Sequence, residues 1–207
     1  MLADQKVREF LKSVSASSAT PGGGSAAAMC GALSASLSTM VCNLTIGKDK
    51  YKDVREEMER VLAYSSRLVE RLTELIDEDA EAYKSVTAAL RLPKETEEEK
   101  AKRIEAMQSA FRRAIAVPHE VMELALEAMR MAHTVARKGN EGAVSDSGSG
   151  AMMAYAALHA ASMNVKMNLK EIEDTEFREE VEEKLKAMEE EANLLRMDVM
   201  AEVESKF

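Results

Sequence analysis

Apolar residues recur through much of this chain at alternating steps of four and three. Val54, Met58, Val61, Ser65, Leu68, Leu72 and Leu75 form one such stripe, the spacing of a helix packed in a bundle. Phe177, Val181, Leu185, Met188, Ala192, Leu195 and Val199 repeat it near the C-terminus, and Ile104, Phe111, Ile115, Met122, Leu126 and Met129 share a face between them. Glu, Lys and Arg occupy the opposite faces, so all three segments are amphipathic. Two other segments, 25–47 and 145–172, are rich in Ala, Gly and Ser; the first carries no charge, and Ser147 to Val165 of the second has no acid or base apart from His159. Small residues on every side of a helix imply burial on several sides, with neighbouring backbones close.

Punctuation marks six helices, at about 4–13, 25–47, 53–90, 96–139, 145–172 and from 175 to the end. Pro21-Gly22-Gly23-Gly24 interrupts the chain and Ser25 reads as the opening of the second helix. Thr96 with Glu99 makes a capping box at the fourth. Pro118 falls inside that helix, so a kink or break is expected there. The pattern predicts an all-α, up-and-down bundle of about six helices, two of them buried and small-residue. No linker or repeat divides it, so residues 1–207 are read as a single helical domain.

Composition agrees. The 207 residues include no Trp and 4% aromatics, with 46% hydrophobic and 31% charged residues, a helix-forming mixture poor in sheet residues. A net charge of −9 argues against a nucleic-acid partner, which calls for a basic face. Cys30 and Cys42 stand alone, without a CxxC pair or a Cys/His cluster, so no zinc site is indicated. The uncharged stretch 24–47 is long enough to cross a bilayer, but its Ser, Thr and Asn content favours a buried helix over a membrane span. The N-terminus lacks the basic flank and apolar core of a signal peptide, and a cytoplasmic location is expected.

Candidate chemistry starts with Asp79. The stripe of the third helix, continued past Leu75, meets Asp79, then Tyr83, Val86 and Leu90. A carboxylate on an apolar seam is desolvated unless paired, which raises its pKa and suits it to acid–base work. The plainer reading is a buried Asp satisfied by a helix terminus or a lysine. Asp77, about 200° away round the helix, should point elsewhere. Pro21, Gly22, Gly23, Gly24 and Ser25 lead into a helix whose amides can cradle an anion, or form only a turn. Lys48, Lys50, Lys166 and Lys170 could add local positive charge, or be solvated surface residues. Asn43, Asn164 and Asn168 stand in otherwise buried segments, where their amides could read a polar ring or join helices. Ser145 and Asp146 suit an N-cap, and His119 beside Pro118 could approach a pocket.

The strings TPGGGSAAAMCGALSASLSTMVCNLTIGKDKY (20–51), LIDEDAEAYKSVTAALRLPKET (75–96), AVPHEVMELA (116–125), GNEGAVSDSGSGAMMAYAAL (139–158) and NVKMNLKEI (164–172) resemble, in order, the cyclodeaminase/cyclohydrolase family of folate enzymes. The resemblance implies a formiminotetrahydrofolate cyclodeaminase that forms 5,10-methenyltetrahydrofolate and ammonia, or alternatively a methenyltetrahydrofolate cyclohydrolase. It implies no metal and no cofactor, the tetrahydrofolate derivative being the substrate. The family's acidic segment maps its proton-transfer group onto Asp79 or Asp77. A polyglutamylated folate would give PGGGS and the lysines an anionic tail to hold. A homodimer is expected from the two uncharged helices. A reading from another class is a non-catalytic dimer that binds a folate-like ligand or a partner helix.

Overall fold

A computed structural model describes residues 1–207, and the chain contains helices and turns but no strand. The helices are α1 (Val7–Val14), α2 (Gly23–Thr45), α3 (Arg55–Leu90), α4 (Glu97–Lys138), α5 (Val144–Leu169) and α6 (Thr175–Glu204), with short 3-10 turns before α3 (Asp49–Val54) and α5 (Glu141–Ala143). From α2 onward each helix packs against the next in sequence, and α2 also lies against α4 and α5. The short α1 contributes a single buried residue, Phe10.

The amphipathic stripes pack as their spacing predicts. Met58, Val61, Ser65, Leu68, Leu72 and Leu75 are all buried on α3, as are Phe111, Ile115, Met122, Leu126 and Met129 on α4. Ile104 departs from the expected seam: it is exposed, because the first turns of the 42-residue α4 run past the packed face that starts near Ala110. The small-residue helices pack closely. A Cβ on Gly31 of α2 would stand 3.1 Å from Leu72 of α3, and one on Gly150 of α5 would stand 3.4 Å from the Ser34 carbonyl of α2. Gly150, early in α5, meets the middle of α2, while Asn164, late in α5, meets Gly23 at the start of α2. The pair is therefore antiparallel.

Three details differ from the sequence reading. α2 starts at Gly23, so Ser25 lies in its first turn and Gly22 takes the N-cap position. α5 starts at Val144, placing Asp146 in the first turn with no side-chain cap; the capping residue is Asn140, at the head of the preceding 3-10 turn, whose Oδ1 accepts from the Gly142 amide. α4 runs through Pro118 without a break. By length and composition α2 could cross a membrane, yet 56% of its most apolar window is buried within the bundle.

Candidate active site

Asp79 projects from α3 toward the N-terminal turn of α2. Ser25 Oγ donates to Asp79 Oδ2 at 2.8 Å, and the Ser25 amide points at the same carboxylate. The three residues opening α2 have no carbonyl one turn earlier to bond, so their amides are free and carry the positive end of the helix dipole. Asp79 places its negative charge there. The glycines make the approach possible: a Cβ on Gly24 would lie 2.0 Å from Asp79 Oδ1 and 2.5 Å from its Cγ, which no side chain tolerates. Burial pushes the Asp79 carboxyl above its ordinary value, with the Ser25 hydroxyl and amide pulling in the opposite direction. Asp79 thus caps a helix and borders a cavity.

That cavity encloses about 390 Å³, within the usual range for small-molecule sites. Gly22, Gly23, Gly24 and Asp79 form one side; Asn164, Met167, Asn168 and Glu171 of the late α5 region face them. Ala82, Tyr83, Val86, Phe111 and Ala114 supply apolar walls. Tyr83 and Leu90, expected to be buried on the seam, stand 47% and 44% exposed because they form the rim. The ionisable groups on the wall are Asp79, Glu171 and the Tyr83 phenol. No Lys, Arg or His belongs to it.

The two asparagines are oriented by backbone carbonyls. Asn164 Nδ2 donates to the Ala160 carbonyl at 2.8 Å, and Asn168 Nδ2 to the Ala114 carbonyl at 2.8 Å. A carbonyl can bond only the nitrogen end of an amide, so each side chain keeps its oxygen free. With Asp79 and Glu171, the cavity is rich in hydrogen-bond acceptors.

The remaining sequence candidates lie elsewhere. Asp77 accepts from the Leu2 and Ala3 amides at 2.6 and 3.2 Å and tethers the N-terminal segment. Pro21 lines a separate small depression with Leu2, Asp77 and Lys84. His119 borders another cavity, of about 230 Å³ between α4 and α6, with Arg112, Phe177 and Lys184. Asn43 and Lys48 are exposed at the opposite end of α2. Lys50 pairs with Glu141 at 2.5 Å and Lys166 with Glu189 at 2.6 Å. Asp146 lies 18 residues before Asn164 on the same helix, about 27 Å along the axis. The expected anion cradle is thus filled by the chain's own Asp79, with none of these lysines beside it. Glu171 and Met167 were missed, although 164, 168 and 171 share a helix face by spacing alone. No group of three or more His, Cys, Asp or Glu side chains is placed to hold a metal ion.

An all-α bundle thus places a desolvated carboxyl at the wall of an acceptor-lined cavity, an arrangement able to move a proton on a bound small molecule. The profile of the formiminotransferase-cyclodeaminase family matches residues 6–187, and the chain belongs to that family. It is 41% identical over 206 residues to a methenyltetrahydrofolate cyclohydrolase from Methylorubrum extorquens, covering 100% of this chain and 99% of that one. It is 33% identical over 205 residues to the formimidoyltransferase-cyclodeaminase of Rattus norvegicus, spanning 38% of that longer protein. A crystal structure of formiminotetrahydrofolate cyclodeaminase from Thermotoga maritima superposes with a TM-score of 0.89 at 29% identity, covering 99% of this chain and 98% of that one.

Proposed function

We propose that this chain is a folate one-carbon enzyme that makes or breaks the bridge between N5 and N10 of tetrahydrofolate, with Asp79 carrying the proton. The observation behind this reading is the raised Asp79 carboxyl, held by Ser25 at a cavity without a basic side chain. The relatives' two reactions share a tetrahedral carbon bonded to N5, N10 and a third heteroatom. In the hydrolytic direction, water adds to the cationic methenyl carbon and its proton passes to the Asp79 carboxylate. The N5–carbon bond then breaks as the carbonyl forms; N5 takes a proton from Asp79 while the hydroxyl proton leaves. The products are 10-formyltetrahydrofolate and one net proton. In cyclodeamination N10 attacks the carbon of the protonated formimino group (N5–CH=NH2+), its proton passes to the Asp79 carboxylate, and the resulting amino nitrogen takes that proton back to leave as ammonia, giving the methenyl cation. A single carboxyl with a pKa shifted toward neutrality serves both directions.

Hydrolysis of 5,10-methenyltetrahydrofolate is the favoured assignment, on the 41% identity that spans essentially both whole chains. Cyclodeamination is the second reading, supported by the fold match with a TM-score of 0.89. An acceptor-lined, acidic cavity suits the methenyl cation, which is substrate in one reaction and product in the other. The test is the ultraviolet absorbance of methenyltetrahydrofolate under purified protein, run beside formiminotetrahydrofolate with ammonia detection. Catalytic loss of absorbance assigns the hydrolase, and ammonia release with gain of absorbance assigns the deaminase. A change that stops at one equivalent would make the chain a binder and sink the enzymatic reading.

The proposal extends to a homodimer through the outer face of α2 and α5. Leu33, Met40 and Leu44 on α2, and Met152, Met163 and Met167 on α5, are large apolar side chains left exposed, and α2 carries no charge at all. Exposed apolar patches of this kind commonly mark subunit contacts. A monomer in light scattering at micromolar concentration would refute it.

A further inference from the structure

Pro118 lies inside α4 without ending it, and the gap it leaves reaches the cavity. Any other residue at 118 would donate its amide hydrogen to the Ala114 carbonyl one turn back. Proline has no such hydrogen, and its ring pushes that carbonyl out of line with the helix axis. Ala114 and Pro118 are both buried, so an unpartnered carbonyl there would be costly. The partner it finds is on a different helix: Asn168 Nδ2 of α5 donates to it at 2.8 Å. Ala114 and Asn168 both border the Asp79 cavity.

We propose that Pro118 is a positioning residue: the hydrogen-bond gap it opens in α4 locks the Asn168 amide, leaving Oδ1 to accept from an N–H of the bound pteridine ring. The bond to Ala114 leaves the amide one orientation, because its oxygen cannot face a carbonyl. A pteridine carries several ring and exocyclic N–H donors on the edge remote from the one-carbon bridge. An acceptor fixed on the wall of the same cavity as Asp79 therefore selects which edge of the ring is bound. The inference rests on the folate reading for its ligand, while the lock itself depends only on the α4–α5 contact.

Pro118→Ala and Asn168→Ala, singly and together, test it. Alanine at 118 restores the helical amide and lets the Ala114 carbonyl turn back toward it, so the amide of Asn168 loses its anchor. We expect KM, and the Kd of tetrahydrofolate measured by calorimetry, to rise about 5- to 20-fold in each single variant, the worth of roughly one hydrogen bond. The kcat should stay within about twofold, because binding and not proton transfer is altered. The melting temperature of Pro118→Ala should be unchanged or higher, since proline is the poorest interior helix residue. The double variant should be no worse than Asn168→Ala alone, the signature of two residues acting through one contact. In nuclear magnetic resonance spectra, the Asn168 side-chain amide should be protected from hydrogen exchange in the native protein and lose protection in Pro118→Ala. Additive effects on KM, or a fall in kcat with KM unchanged, would overturn the proposal. Retained amide protection in Pro118→Ala would overturn the lock irrespective of ligand. Failure of the native protein to bind tetrahydrofolate would remove the ligand assignment and the folate reading together, while the exchange measurement still judges the lock.

Discussion

The two ends of the α2–α5 pair, about 34 Å apart along a 23-residue helix, use similar residues for opposite ends. At the far end Asn140, Thr45, Lys50, Glu141 and Tyr51 satisfy one another. Thr45 Oγ1 accepts from the Asn140 amide at 2.9 Å, Asn140 Nδ2 donates to the Leu44 carbonyl at 3.1 Å, and the Glu141 amide donates to the Tyr51 hydroxyl at 3.1 Å. Lys206 Nζ closes the neighbouring terminus of α4 by donating to the Ala136 and Arg137 carbonyls. At the near end the glycines admit Asp79 to the head of α2, and the oxygens of Asn164 and Asn168 stay free beside a cavity. Glycine, asparagine and charge are common to both ends. What separates them is whether the polar atoms find partners inside the chain.

The sharpest way to break this contrast is Asp79→Asn. The amide keeps the size and one acceptor for Ser25 but cannot carry a proton, so kcat should fall about 10²–10⁴-fold with helix content intact by circular dichroism. Native kcat/KM should fall as pH drops through the Asp79 pKa, at a higher pH than an ordinary aspartate would set, and Asp79→Asn should lack that limb. The stability effect follows from the same shift. Asp79 holds its proton more tightly folded than unfolded, so its contribution to stability is full below the unfolded value and declines as pH rises toward the folded one. Asp79→Asn should therefore melt no lower than the native protein at neutral pH. Near-native turnover in this variant would remove Asp79 from the chemistry.

Gly24→Ala comes next. Its Cβ would lie 2.0 Å from Asp79 Oδ1 and force the carboxylate aside by about 1 Å, a misplacement that costs about 10²-fold in rate, visible as lost kcat before lost folding. Turnover within a few-fold of native would show that the carboxylate can act from elsewhere. Asp77→Asn should be milder: it loosens the Leu2 and Ala3 amides, lowering the melting temperature slightly with kcat within about threefold, the scale of a peripheral hydrogen bond. The smallest effects belong to the far end, where Asn43→Ala and Asp146→Asn should leave kcat and KM within about twofold, as is usual for sites remote from the chemistry. A larger loss there would mean that the far end reaches a site after all.

Much of this was legible in the sequence. Helix number, the stripes of α3, α4 and α6, and the inward phase of Asp79 follow from apolar spacing, because an amphipathic helix has one face that water cannot accept. The opposed phases of Asp77 and Asp79 follow from the 100° step alone, and the structure separates them onto the N-terminal tether and the cavity. The family was readable from its ordered motifs. The small-residue helices were a different case: with apolar or small side chains all round, α2 and α5 have no polar face from which to read a phase. Asn43 and Asn164 therefore looked equivalent, although one is exposed and the other faces Gly23. Only tertiary packing decided that Asp79, not a ligand's carboxylate, fills the head of α2. It likewise decided that the carbonyl freed by Pro118 is answered from α5. Both depend on contacts across 54 positions of sequence, and local periodicity carries no information about which distant donor meets which acceptor.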